Sequence, residues 1–157
     1  MKKLVYLFAF VLAGLISCEP DDICLAETPG TPSLIIVFYD NDQPESKKEV
    51  PNLQVKGLGL EAEFYSGTTD SIAIPLKINE NATDFLLSKT ENDILFEESI
   101  TFKHDSYDRF LSRACGYQKI FTNLRTERTN SIVWIESIEI VTDTISDINN
   151  THVKILH

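Results

Sequence analysis

Leu34-Ile35-Ile36-Val37-Phe38-Tyr39 is the stretch on which the fold turns. Six consecutive β-branched, aliphatic and aromatic residues fit a buried strand and are too few for a helix. Polar and proline-bearing segments bound the run: Glu19 to Pro32 before it, Asp40 to Pro51 after it. Downstream, a weaker strand is expected at Leu53 to Leu60, interrupted by Gly57 and Gly59. Ile72, Ile74, Leu76 and Ile78 alternate with Ala73, Pro75, Lys77 and Asn79, which puts the aliphatics on one face. Pro75 cannot donate to a ladder, so this strand belongs at a sheet edge.

Asp84 to Ser88 reads as a short strand, and Glu91-Asn92-Asp93 as a hairpin turn. Ile94, Phe96, Ile100 and Phe102 share one parity, broken at Glu98. Asp105 to Asp108 reads as the next turn. Phe110 to Ala114 leads into Cys115-Gly116-Tyr117, after which Ile120, Phe121 and Leu124 suit either a strand or a short helix. Ile132 to Val141 is apolar on both parities and is expected centrally in a sheet. His152 to Leu156 is the last expected strand. The pattern predicts an all-β chain: an immunoglobulin-like β-sandwich of about seven or eight strands over residues 33–157.

The opposite end of the chain has a different character. Lys2 and Lys3 precede an apolar run from Leu4 to Ile16, which ends in Leu15-Ile16-Ser17-Cys18. As a helix the run spans roughly 20 Å, short of the ~30 Å hydrocarbon core of a bilayer. A cleaved signal helix over residues 1–17 is the better reading. Leu15 and Ser17 resemble the lipobox, in which a cysteine is lipidated and becomes the first mature residue; Ile16 departs from the commoner small residue. Cys18 is therefore the expected lipidation site. Residues 18–32 form the expected tether, with Pro20, Pro29, Gly30 and Pro32 breaking regular structure. Several acyl chains, at about 0.8 kcal/mol per buried methylene, hold a protein stably on a membrane.

The formal net charge is -10, and loss of Lys2 and Lys3 with the signal makes the mature part more negative still. Such a surface repels nucleic acid and anionic headgroups and favours basic or neutral partners. With Cys18 lipidated, Cys24 and Cys115 remain, and an even remainder in an oxidising compartment reads as a disulfide. The rival is a catalytic thiol at Cys115, which requires a positioned histidine from His104, His152 or His157.

Other candidate chemistry is sparse. Asp40-Asn41-Asp42 with Glu45 suggests a calcium loop but lacks the later Gly and Glu of the hand motif. Glu98 and Glu136 interrupt apolar faces and mark bulges, strand edges or a partly exposed face, with a cleft as the alternative. The three histidines have no metal-ligand spacing, and no cofactor is expected. Asn81-Ala82-Thr83 and Asn149-Asn150-Thr151 match the N-glycosylation sequon but read as polar turns. Asp70-Ser71-Ile72 and Asp143-Thr144-Ile145 resemble the acceptor motif for O-linked glycans on exported Bacteroidota proteins, which makes Ser71 and Thr144 candidate sites.

Five segments together resemble a Bacteroidota cell-envelope lipoprotein family described only as a domain of unknown function. They are Cys18 with Asp21-Asp22-Ile23-Cys24, Leu34 to Asp40, Asp70 to Leu76, Ser112-Arg113-Ala114-Cys115-Gly116-Tyr117, and Thr151 to Ile155. The resemblance supports the Cys24–Cys115 pairing and implies an envelope partner such as an outer-membrane β-barrel complex. Glu19-Pro20-Asp21-Asp22 resembles the acidic signal that sends such lipoproteins to the cell surface, with Pro20 as a departure. The expectation is a non-enzymatic lipoprotein of the outer membrane, on its periplasmic face or at the cell surface. The alternatives are a glycan-binding module, for which Trp134 would need to be exposed, and a hydrolase using a carboxylate pair.

Overall fold

The computed structural model describes residues 23–128 and 134–157. The expected signal helix, Cys18, and Ile132 and Val133 of the expected central strand lie outside the described residues. The chain divides into two compact units. The larger comprises residues 29–109 and 118–157; the smaller contains the first residues through Thr28 together with Phe110–Tyr117.

Among the described residues the secondary structure is all β. Nine strands form: β1 (Leu34–Tyr39), β2 (Val50–Gly57), β3 (Glu63–Thr69), β4 (Ser71–Ile74), β5 (Ala82–Glu91), β6 (Ile94–Ser112), β7 (Gly116–Arg128), β8 (Ser137–Ile140) and β9 (Val153–Leu156). They make two sheets, ordered β4-β1-β9-β8 and β3-β2-β5-β6-β7. The β-sandwich expected from the sequence is the architecture found, with nine strands in place of seven or eight.

The run that decided the reading is strand β1, with the expected bounds. It is interior to its sheet, antiparallel to β4 through Ile36↔Ile72 and parallel to β9 through Phe38↔Ile155. Leu34, Ile36 and Phe38 point into the core. From the facing sheet come Leu53 and Val55 of β2, Phe85 and Leu87 of β5, and Ile100 and Phe102 of β6. Each large aliphatic or aromatic side chain fully buried in such a core contributes about 1.5–3 kcal/mol relative to exposure. β4 lies at the end of its sheet as expected, but it stops at Ile74, before Pro75, and Ile78 is exposed rather than on the buried face.

The hairpin turn at Asn92-Asp93 is as expected. Both residues have positive φ (51° and 61°), as a two-residue type I′ turn requires, and Glu91 pairs with Ile94.

Two further expectations need correction, and one strand was not anticipated. Asp105 to Asp108 is no turn: β6 runs through it. Its polar side chains find partners on β7, Asp105 accepting from Asn123 Nδ2 at 2.8 Å and Asp108 pairing with Lys119 at 2.9 Å. His104 is consequently a buried mid-strand residue. Within the expected Ile132 to Val141 strand, the described residues form β8 alone, which among the described residues pairs with β9 and sits at a sheet edge, not centrally. Its preceding residues, Trp134 and Ile135, bury their side chains in the core without joining the ladder. β3 was not anticipated, because its Ser, Gly and Thr residues and its largely exposed edge carry little apolar periodicity.

Candidate functional site

Cys24 and Cys115 are joined, with Cα atoms 4.9 Å apart. Both belong to the smaller unit. Cys115 sits in the three-residue turn between β6 and β7, where its N–H donates to Ser112 Oγ at 3.0 Å. The next residue, Gly116, has φ of +71°, the left-handed conformation that closes such a turn. Phe110 and Tyr117 meet edge to face across the hairpin at 5.3 Å. The thiol of Cys115 is committed to this bond, so the catalytic-thiol reading falls.

In the larger unit, Glu98 does not mark a bulge, an edge or an exposed face. Its carboxylate is buried, with only 1% of the side chain exposed, and it lies 3.4 Å from Arg128 Nη1. Its Oε2 accepts from the backbone N–H of Ile135 at 3.2 Å and of Trp134 at 3.5 Å. Arg128 in turn donates to the carbonyls of Ile135 and Glu136. The pair therefore clasps both the donors and the acceptors of one non-ladder segment. That use of Glu98 leaves no free carboxylate there for glycoside chemistry. Trp134 is buried, 6.4 Å from Phe38 and 5.8 Å from His157, with the Lys89 ammonium 5.5 Å from its ring. A glycan platform requires the opposite arrangement.

His152 binds β1 from both sides. Its backbone N–H donates to Ile35 O, and its Nδ1 accepts from Ile35 N–H, each at 3.0 Å. A backbone N–H can only donate, so Nδ1 must be unprotonated and the ring neutral. His104 packs edge-on against Phe121 at 4.8 Å. Burial pushes the imidazoles of His104, His152 and His157 down, offset in part by Asp105, by Asp147, and by the Lys48 backbone with Asp40, respectively. In the unfolded chain each takes a proton near pH 6.5. The unfolded state thus binds more protons below that pH. Stability present above it is lost as pH falls. Urea midpoints at fixed ionic strength should drop between pH 7 and 5; a flat or rising midpoint would contradict this burial.

Asp40 serves a turn. Its Oδ1 accepts from Asp42 N–H at 2.9 Å, which holds its carboxyl below the usual range, and Lys48 lies 3.6 Å away. Among the described residues no group of three or more His, Cys, Asp or Glu is placed to hold a metal ion. Ser71 Oγ donates to Asp70 Oδ1 at 3.0 Å and lies part-buried on β4. Thr144 Oγ1 donates to Asp143 Oδ1 at 3.1 Å, and Thr144 is likewise half-buried.

The surface of greatest interest is an apolar cleft of about 240 Å³ beside β3. Leu58, Leu60 and Phe64 are exposed at its mouth; Leu76 and Phe85 are buried in its wall. A turn built on Gly59 (φ +80°) presents the two leucines, with Leu60 N–H donating to Gly57 O at 2.9 Å. Leu58 N–H donates to Asp84 O at 3.0 Å, which fixes the loop to β5. Phe64 stacks edge-on against Phe85 at 5.7 Å. β3 is also the end strand of its sheet. At the other end, the edge of β7 is partly covered: Phe121 bridges Ile145, and Leu124 N–H donates to Asp143 O.

A family model matches residues 52–157, that of a family of unknown function, DUF6452. The chain belongs to the DUF6452 family. The matched stretch holds the cleft, the Glu98–Arg128 clasp and Cys115, whereas β1 and Cys24 precede it. No curated protein and no solved structure matches the chain.

Proposed function

We propose that this DUF6452 chain is a lipid-anchored envelope protein of a Bacteroidota bacterium. Cys18 holds it on the outer membrane, and it binds a protein partner without catalysing a reaction. The observation that carries the binding reading is the exposed edge of β3 beside the Leu58, Leu60 and Phe64 cleft. An uncovered end strand offers main-chain hydrogen bonds to an extended segment, and an adjacent apolar pocket supplies side-chain specificity. The chain's charge of -10 favours a neutral or basic segment, such as a periplasmic or surface loop of a β-barrel complex. The lipobox resemblance at Leu15 to Cys18 and the disulfide six residues later support the anchoring half.

In-cell crosslinking followed by affinity purification should recover a specific envelope protein with the wild type. Phe64→Glu should reduce that recovery about tenfold or more, as expected when a charge enters an apolar hot spot worth about 2 kcal/mol. Failure to recover any specific partner from the wild type would sink the binding reading. For the anchor, metabolic labelling with a lipid precursor should mark the wild type and not Cys18→Ala. Equal labelling of both would refute the assignment.

A further inference from the structure

We propose that the end of the β6–β7 hairpin, with Ile23 and Leu25, is a foot that rests in a zwitterionic lipid headgroup layer beside the acyl chains on Cys18. This deepens the anchoring reading and rests on it.

The smaller unit exposes an unusual set of side chains. Ile23 is 75% exposed, Leu25 65%, Phe110 55% and Tyr117 68%. The disulfide brings the first two to the hairpin that carries the other two. The only charged residues among the described part of this unit are Glu27 and Arg113, so it is locally neutral within a chain of net charge -10. Aromatic rings with a polar edge, such as Tyr117, suit the boundary between headgroups and acyl chains.

Covalent geometry sets how far this end can stray. Six residues separate Cys18 from Cys24, a reach of at most roughly 22 Å. The Cα of Cys115 lies 4.9 Å further on. With Cys18 at the membrane surface, the hairpin end stays within that radius of the headgroups. Four side chains are too few for a stable protein interface, which takes roughly 20–30 residues a side. They suffice for a weak contact when a short tether raises the effective concentration of the surface. Glu19, Asp21 and Asp22 lie in the tether and disfavour anionic headgroups, which selects a zwitterionic layer.

The test uses residues 18–157 with Cys24 and Cys115 oxidised, leaving Cys18 as the one free thiol for coupling to a maleimide lipid. The vesicles are phosphatidylcholine with phosphatidylethanolamine. Amide hydrogen exchange in peptides spanning 23–28 and 110–117 should slow by about fivefold or more on coupling, with the Asn92-Asp93 hairpin unchanged. Phe110→Ser with Tyr117→Ser should abolish the slowing. Unchanged exchange in 110–117 on coupled vesicles would overturn the foot. Chemical coupling replaces cellular lipidation here. An error in the Cys18 assignment therefore appears only in the Cys18→Ala labelling, and an error in the foot only in the exchange data.

Discussion

Arg128→Ala should lower the unfolding free energy by about 3–5 kcal/mol, the range for removing one partner of a buried ion pair. The substitution takes away the only cation paired with Glu98 among the described residues, and Glu98 exposes 1% of its side chain. It also leaves the carbonyls of Ile135 and Glu136 without their guanidinium donor. The N–H groups of Trp134 and Ile135 remain on the carboxylate, so the loss should stop short of complete unfolding. Arg128→Lys should recover only part of it. A lysine restores charge but presents no planar fork to reach a carboxylate and two carbonyls together. Urea unfolding with an unchanged slope checks both variants; a loss below about 1 kcal/mol for Arg128→Ala would mean the pair is effectively solvated.

The paired substitution Cys24→Ser with Cys115→Ser should cost about 4 kcal/mol. The bond spans 91 residues of sequence, and the chain-entropy model gives about 4–5 kcal/mol for a loop of that size, against a typical measured range of about 2–4. At roughly 2–4 °C per kcal/mol for a chain somewhat larger than this one, the melting temperature should fall by about 10 °C or more. A reducing agent should reproduce the shift in the wild type and have no effect on the double variant. A wild type indifferent to reductant would show that the bond adds nothing to stability.

Parts of the fold that depend on local chemistry were legible. Leu34 to Tyr39 announced its strand because six adjacent residues all favour a buried pleat. Asn92-Asp93 announced its turn because these residues tolerate positive φ. Pro75 placed its strand at an edge because it lacks an N–H. The cysteine pair followed from the parity left after Cys18. Features that depend on distant partners were not legible. Glu98 read as a break in an apolar face because Arg128 lies thirty residues away in sequence. Trp134 and Ile135 read as strand residues because burial by a side-chain clasp leaves the same apolar signature as burial in a ladder. The β3 cleft was missed because its mouth is assembled from two loop leucines and one strand phenylalanine. The exposed Leu58-Gly59-Leu60 turn was the one local sign of it.

The parallel pairing of β1 with β9 sets the order of events as the chain emerges and folds. β1 emerges early and β9 after every other strand. Until then β1 lacks the neighbour that separates it from β8, and Ile36 and Phe38 have no Val153 and Ile155 beside them. A chain that emerges amino end first therefore cannot complete this sheet until its last strand is free. The same delay leaves the β1 edge bare until the final strand arrives, an open template for pairing with another chain.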